Sequence, residues 1–192
     1  MQKDNDKILL ILDLDETLVH SKVENVDFVP DFELFDYKVI KRPYLAKFLT
    51  NCSKNFKIAI WSSASDDYVA EMVKQIIPDS IELEFVWGRS KATYRPTFEL
   101  NEIRYAANEH FYYIKRLKKI KQIGYRLEKA LIVDDTPHKS KENYGNAIYV
   151  KEFYGEPEDN ELQILEKYLF DIKDIADVRK IEKRGWRLNY EK

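Results

Sequence analysis

The chain is poor in cysteine and in glycine. Cys52 is the single cysteine among 192 residues, so no disulfide can form within the chain. We interpret Cys52 as a buried structural thiol, because it lies in a segment that is predicted to be helical. Glycine occurs only five times, and no glycine-rich loop that could hold nucleotide phosphates is present. These shortages exclude a disulfide-stabilised fold and argue against the P-loop and dinucleotide-binding classes.

Long hydrophobic runs and an excess of one charge are also missing. No apolar stretch approaches the length of a transmembrane helix, and the polar segment Met1–Asp6 is too short for a signal peptide. The net charge is −2, so there is no global electrostatic reason to expect binding to nucleic acid or to an anionic membrane. Together with the single cysteine, these features predict a reducing, cytoplasmic location, or a nuclear one in a eukaryote.

Short aliphatic runs alternate with amphipathic segments along the chain. This alternation predicts a single α/β domain over residues 1–192, with a doubly wound, mostly parallel sheet and no large cap domain. The expected strands are Lys7–Leu12, Lys57–Trp61, Lys129–Val133 and Ala147–Val150. The expected helices are Pro43–Cys52, Asp66–Ile77, Arg116–Ile123 and Glu161–Asp174.

Two segments depart from this alternation. Alternating apolar residues in Ser21–Val39 predict an early hairpin. Residues 81–113 predict a strand followed by a small inserted module beside the functional site, because long insertions in compact domains are usually lids or substrate-binding elements.

Two of the predicted strands end in paired acidic residues. Asp13 and Asp15 follow the first strand, and Asp134 and Asp135 follow the strand that ends at Val133. Because ligands bind at the carboxyl ends of the strands in open α/β sheets, the two pairs are expected to meet at one edge. Turn formation or helix capping would explain one such pair, but it does not explain two pairs that are placed alike.

The acidic pairs predict a particular reaction. Asp13 would attack phosphorus and form an aspartyl-phosphate, which divides one difficult step into two. Asp15 would protonate the leaving oxygen and then activate the hydrolytic water, so its pKa should be raised by shielding from solvent. The expected ligands of a divalent ion are Asp13, the backbone carbonyl of Asp15 and Asp135, an all-oxygen set that suits Mg²⁺ and not Zn²⁺.

Hydroxyl and basic side chains supply the other predicted contacts with a phosphoryl group. Ser62 lies at the end of a strand, where its hydroxyl can donate to a phosphoryl oxygen. Lys115 is the preferred catalytic lysine because it follows a strand-like segment; Lys118 is the alternative, since its separation from Asp134 suits a shorter connection. The candidate substrate-binding residues are Thr17, Ser63, Arg89 and Arg95.

One motif resembles the signature of a known family. Residues 13–21, DLDETLVHS, are similar to the signature of the small C-terminal-domain phosphatases and their nuclear-envelope-interacting-factor-like relatives, in the haloacid dehalogenase superfamily. Further likeness lies in the sequences KRP at 41–43, WSSAS at 61–65 and LIVDDTP at 131–137. The resemblance implies a Mg²⁺-dependent protein phosphatase for phosphoserine or phosphothreonine, with Asp13 as the nucleophile, Asp15 as the acid and base, and Asp135 at a metal position.

The chain also departs from the family pattern. Ser62 stands where many members carry threonine, Asp135 stands where several carry asparagine, and the segment Arg89–Lys119 is longer. The alternative hypotheses are a phosphatase for a small phosphometabolite or a nucleic-acid end, and a non-catalytic docking module. The absence of a large cap favours a phosphorylated protein or peptide as the partner, and the intact acidic pairs argue against the docking module.

Overall fold

A computed structural model describes residues 7–24, 26, 28–96, 111–143 and 145–191. The strands are β1 (Leu9–Leu12), β2 (Val19–Lys22), β3 (Phe32–Leu34), β4 (Tyr37–Lys41), β5 (Lys57–Trp61), β6 (Leu83–Trp87), β7 (Thr93–Pro96), β8 (Phe111–Ile114), β9 (Ala130–Asp134) and β10 (Ala147–Tyr149). The α-helices of these ranges are α1 (Leu45–Asn55), α2 (Asp66–Ile76) and α3 (Glu161–Ile172). Each of them is too short or too polar to cross a membrane.

Five parallel strands form the central sheet, in the order β10-β9-β1-β5-β6. The middle strand, β1, is buried along its whole length, as its continuous apolar run predicts. From β1 the chain adds β5 and β6 on one side, and it later adds β9 and β10 on the other. The strand order therefore reverses between β1 and β9, and in open α/β sheets the crevice at such a reversal is where ligands bind.

The two faces of β1 belong to two apolar clusters. Leu10 and Leu12 pack in a cluster that includes residues of α1, α2 and α3. Leu9 and Ile11 pack in a second cluster, which includes Leu117 from a 3₁₀ helix. The predicted α/β fold with a mostly parallel sheet is confirmed: α1, α2 and α3 pack on one face, and the 3₁₀ helix that contains Leu117 packs on the other.

The helix predicted at Arg116–Ile123 is present, and it is a 3₁₀ helix that begins one residue later, over Leu117–Ile123. Its buried residues Leu117 and Ile120 are three positions apart. That spacing matches the three residues per turn of a 3₁₀ helix, whereas an α-helix has 3.6. The three-residue spacing of the buried positions therefore agrees with the observed helix type.

Two small antiparallel sheets complete the described structure. In place of the simple hairpin predicted at Ser21–Val39, a three-stranded sheet forms in the order β2-β4-β3. The strand predicted within 81–113 is β6 of the central sheet, and β7 pairs with β8 in the predicted insertion. The rest of that insertion, residues 97–110, lies outside the described residues.

Candidate active site at the carboxyl ends of β1 and β9

Asp13 lies directly after β1, with only 1% of its surface exposed. Its backbone N–H donates to the carbonyl of Val133 at 3.0 Å, so the chain still follows β9 at this point. One carboxylate oxygen, Oδ1, accepts the N–H of Leu14 at 2.8 Å and lies 2.8 Å from the Nζ of Lys115. The other oxygen, Oδ2, is buried and accepts no hydrogen bond from any described residue. Asp13 therefore has one fully bonded oxygen and one available oxygen.

Lys115 follows β8 and is fully buried between two carboxylates. Its Nζ lies 2.8 Å from Asp13 Oδ1 and 2.8 Å from Asp134 Oδ2. Lys118, the alternative lysine, is exposed on the following 3₁₀ helix. Burial alone would raise the pKa of Asp13, but the charges of Lys115 and Lys139 outweigh burial and hold that pKa below its ordinary value. Asp13 is therefore ionised.

Lys139 is a second lysine beside Asp13, and the sequence did not single it out. It lies in the 3₁₀ helix Pro137–Asn143, and its Nζ is 3.8 Å from Asp13 Oδ2. Burial lowers the pKa of Lys139, but the carboxylates of Asp13, Asp134 and Asp135 outweigh burial and raise that pKa above the ordinary lysine value. In the sequence, the only indication that Lys139 belongs to the site is that it lies four residues after Asp135. That position does not show in which direction its side chain points.

Three buried carboxylates meet at this edge of the sheet. Asp13, Asp134 and Asp135 each offer an oxygen atom within 4.8 Å of the others. The hydroxyl of Thr17 accepts the N–H of Asp135 at 3.1 Å and donates to Asp135 Oδ1 at 3.2 Å, which orients that carboxylate. These three carboxylates form an all-oxygen donor set, which fits a hard divalent cation such as Mg²⁺. Two predicted metal ligands, Asp13 and Asp135, are thus together, and Asp134 joins them.

The carboxylate of Asp15 has different partners. Its Oδ1 accepts a hydrogen bond from the hydroxyl of Tyr68 at 2.7 Å and a longer one from Ser21 at 3.4 Å. Its Oδ2 lies 3.5 Å from the hydroxyl oxygen of Ser62. Burial raises the pKa of Asp15, the negative charge of Asp13 raises it further, and the Tyr68 hydrogen bond opposes both. The net direction is upward, in agreement with the raised pKa predicted from the sequence.

The turn after β5 holds the predicted hydroxyl residues. Ser62 is buried, and its hydroxyl oxygen accepts the N–H of Ala64 at 3.0 Å. The hydroxyl oxygen of Ser63 is buried without a hydrogen-bond partner among the described residues. Arg89 closes this turn, because its Nε donates to the carbonyl of Ser63 at 3.0 Å and its backbone N–H donates to the carbonyl of Ala64.

A cavity of about 540 Å³ opens beside Asp15. The aromatic residues Phe35, Tyr37 and Tyr68 form part of its wall, and Arg89 also lines it. Phe35 is 62% exposed, so the wall presents apolar surface to solvent. The cavity is therefore a candidate ligand site next to the acidic edge of the sheet.

Two predicted substrate-binding residues contact other side chains. The hydroxyl of Thr17 is bonded to Asp135, and Arg95 in β7 pairs with Glu142 at 3.3 Å. Substrate binding by these residues stays a prediction. Tyr68 was missed in the sequence because an aromatic residue near the start of an amphipathic helix is usually part of the core.

The family model described as NLI interacting factor-like phosphatase matches residues 8–179 of the chain. The chain belongs to this family. Its resemblance to the family in residues 13–21 is thereby confirmed. The structure of Fcp1, described as an essential RNA polymerase II CTD phosphatase, aligns with a TM-score of 0.66 at 17% identity and covers 91% of this chain and 69% of that chain. At 17% sequence identity, the similarity to this structure supports a shared fold and nothing more.

Two curated relatives illustrate the range of the family. The human Carboxy-terminal domain RNA polymerase II polypeptide A small phosphatase 1 is 28% identical over 183 residues, covering 92% of this chain and 63% of the relative. Phosphatase PSR1 of Saccharomyces cerevisiae is 31% identical over 184 residues, covering 91% of this chain and 39% of the relative. The chain therefore spans less than two thirds of the length of either relative.

Proposed function

We propose that the chain is a Mg²⁺-dependent phosphomonoester hydrolase that works through an aspartyl-phosphate on Asp13. The main observation that supports this proposal is that the two carboxylate oxygens of Asp13 differ in their hydrogen bonding. Oδ1 is held by the Leu14 N–H and by Lys115, whereas Oδ2 is buried beside them without a hydrogen bond from the described residues. A carboxylate that is fixed through one oxygen and available through the other suits nucleophilic attack.

The first step would transfer the phosphoryl group to Asp13. Oδ2 forms a bond to phosphorus while the bond from phosphorus to the leaving oxygen breaks, and Asp15 gives its proton to that oxygen. In the second step Asp15 takes a proton from a water molecule whose oxygen bonds to phosphorus, while the bond from phosphorus to Asp13 Oδ2 breaks. Inorganic phosphate then leaves, and the carboxylate of Asp13 is restored.

The metal site is supported by the cluster of Asp13, Asp134 and Asp135. A bound Mg²⁺, held by Asp13 and Asp135, would supply positive charge to the phosphoryl oxygens. Lys115 would hold Asp13 and Asp134 in place during the reaction, because its ammonium lies 2.8 Å from an oxygen of each. Thr17 would keep the Asp135 carboxylate in its orientation through the two hydrogen bonds between them.

We infer that the substrate is phosphoserine or phosphothreonine in a protein or peptide. The human relative is named as a small phosphatase of the carboxy-terminal domain of an RNA polymerase II polypeptide, which supports a peptide substrate. The cavity beside Asp15, with Phe35, Tyr37 and Tyr68 in its wall, offers apolar surface for a residue next to the phosphorylated one. An isolated small phosphometabolite would leave that wall uncovered.

Hydrolysis of p-nitrophenyl phosphate with Mg²⁺ tests the catalytic proposal. We expect Asp13→Asn to lower kcat by about 10⁴-fold or more, because an amide oxygen is not a nucleophile for this step. Removal of Mg²⁺ with a chelator should lower activity similarly and reversibly. The matched control is Asp79→Asn, an exposed residue in the loop before β6, which should keep full activity. Absence of turnover by the unaltered chain with any divalent ion would instead favour the docking module.

A further inference from the structure

Two lysines flank the carboxylate of Asp13, one beside each oxygen. Lys115 lies 2.8 Å from Oδ1, and Lys139 lies 3.8 Å from Oδ2. The side chain of Lys115 is fully buried, whereas that of Lys139 is 29% exposed. Lys139 is therefore the lysine on the available oxygen, and it is the one that an entering ligand can reach.

The surrounding backbone fixes the two lysines relative to each other. The N–H of Lys115 donates to the backbone carbonyl of Lys139 at 2.8 Å. The side chain of Asn143 accepts the N–H of Leu117 at 2.9 Å and donates to the carbonyl of Lys115. These bonds join the end of β8 to the 3₁₀ helix Pro137–Asn143. Lys139 is thus held beside Asp13 by the same contacts that hold Lys115, and it does not sit on an independent surface loop.

The two ammonium groups differ in their bonding capacity. Lys115 is already shared between the carboxylates of Asp13 and Asp134. The ammonium of Lys139 is within ion-pair distance of Asp13 but makes no hydrogen bond to any residue in the described ranges. A separation of 3.8 Å is longer than a hydrogen bond, so the three N–H groups of Lys139 remain available to a ligand.

We propose that Lys139 is a second phosphoryl-binding cation, which donates hydrogen bonds to the oxygens of the phosphoryl group bound at Asp13 Oδ2. The proposal rests on the proposed function, because it requires a phosphoryl group at that oxygen. A phosphoryl group on Oδ2 would extend toward the ammonium that now lies 3.8 Å away. It would also bring further negative charge to a place where Asp134 and Asp135 are buried, which a second cation offsets.

The test measures the binding of inorganic phosphate and of beryllofluoride by isothermal titration calorimetry with Mg²⁺ present. We expect Lys139→Met to weaken phosphate binding about tenfold or more and to lower kcat/KM for p-nitrophenyl phosphate about 10²-fold. Lys139→Arg, which keeps the charge, should retain most of the affinity. Lys121→Met removes an exposed lysine from the nearby 3₁₀ helix and should change neither quantity.

Lys139→Gln is the second variant, in case the methionine variant does not fold. A merely structural role for Lys139 would lower the melting temperature of the Lys139 variants but leave the phosphate affinity of the folded protein equal to that of Lys121→Met. That result would overturn the proposal while the proposed function stands, because the unaltered chain would still hydrolyse the substrate. An unaltered chain that neither binds phosphate nor turns over substrate would instead refute the proposed function.

Discussion

Asp13 and Asp15 are two residues apart, yet their pKa values shift in opposite directions. Lys115 and Lys139 lower the pKa of Asp13 against the effect of burial. Burial raises the pKa of Asp15. Among the ion pairs of the described residues, no lysine lies as close to the carboxylate of Asp15 as Lys115 lies to that of Asp13. A nucleophile has to be ionised and an acid has to be protonated, so these unlike surroundings match the two roles proposed for the pair.

The variant Tyr68→Phe tests whether the hydrogen bond from the Tyr68 hydroxyl controls the pKa of Asp15. The Tyr68 hydroxyl donates to Asp15 Oδ1 at 2.7 Å, and such a bond favours the ionised carboxylate and lowers its pKa. Removal of the hydroxyl should therefore raise the pKa of Asp15 further. We expect the alkaline limb of kcat/KM against pH to move to higher pH. A phosphoserine peptide is the appropriate substrate, because its poor leaving group needs the acid.

Tyr37→Phe is the matched control, since it removes a hydroxyl from the same cavity wall without removing a bond to Asp15. Its pH profile should overlie that of the unaltered chain. An alkaline limb that stays in place in Tyr68→Phe, or that moves equally in both variants, would show that Tyr68 does not set the protonation of Asp15.

At the scale of elements, the site depends on segments that come together from distant parts of the sequence. The turn after β5 is held between two other elements: Arg89 bonds the carbonyl of Ser63, and the N–H of Ser62 donates to the carbonyl of Trp87 at 2.9 Å. Gly88 lies between these two anchoring residues and directly against the start of α2. The position of the turn therefore depends on close packing between β6 and α2.

Gly88→Ala tests this packing. An added Cβ would lie 2.5 Å from Asp66 Oδ1 and 2.8 Å from Asp66 Cα, and the backbone atom cannot simply rotate away. We expect the free energy of unfolding, measured by urea denaturation, to fall by about 1–3 kcal/mol. Activity should fall as well, because Ser62 and Ser63 would shift with the start of α2.

Gly145→Ala is the control for that variant. Its added Cβ would lie 3.2 Å from Arg179 Cβ, which is longer than the 2.5 and 2.8 Å contacts of the Gly88 variant, so a smaller shift of the neighbour relieves it. The loss of stability should be clearly smaller than for Gly88→Ala. Equal losses in the two glycine variants would contradict the proposed role of the close contact between Gly88 and α2.

At the scale of the whole molecule, the acidic cluster makes stability depend on pH. Burial and neighbouring carboxylates raise the pKa of Glu16 from 4.5 to about 8, and burial is the largest cause of the raised pKa of Asp134. The folded chain thus binds more protons than the unfolded chain between the ordinary and the raised pKa values. Stability contributed by these groups is present at low pH and is lost as pH rises through that window.

We expect the melting temperature in the presence of a chelator to fall between about pH 5 and about pH 8. Differential scanning calorimetry across this range measures the effect. Addition of Mg²⁺ should reduce the fall, because a bound cation favours the ionised carboxylates. Glu16→Gln should flatten the upper part of the curve, since it removes the group whose pKa is raised to about 8. A melting temperature that rises with pH in the chelator would contradict this prediction.

Much of the fold could be predicted from local patterns. The continuous apolar runs predicted the central strands, and β5 has the predicted bounds Lys57–Trp61. The helix predicted at Asp66–Ile77 is α2, which ends one residue earlier. The helix predicted at Arg116–Ile123 is also present, and the structure identifies it as a 3₁₀ helix over Leu117–Ile123.

The sequence by itself determined that two acidic pairs end buried strands, because strand burial and strand ends leave local signals in composition, whereas the pairing of those two strands is a result of the fold. Only the tertiary structure decided how each side chain is used. It brought Lys115 and Lys139 to opposite oxygens of Asp13, bonded Thr17 to Asp135 and turned Asp15 toward Tyr68. The physical reason is that such contacts depend on side-chain direction and on packing between segments up to 126 positions apart, neither of which has a local sequence signal.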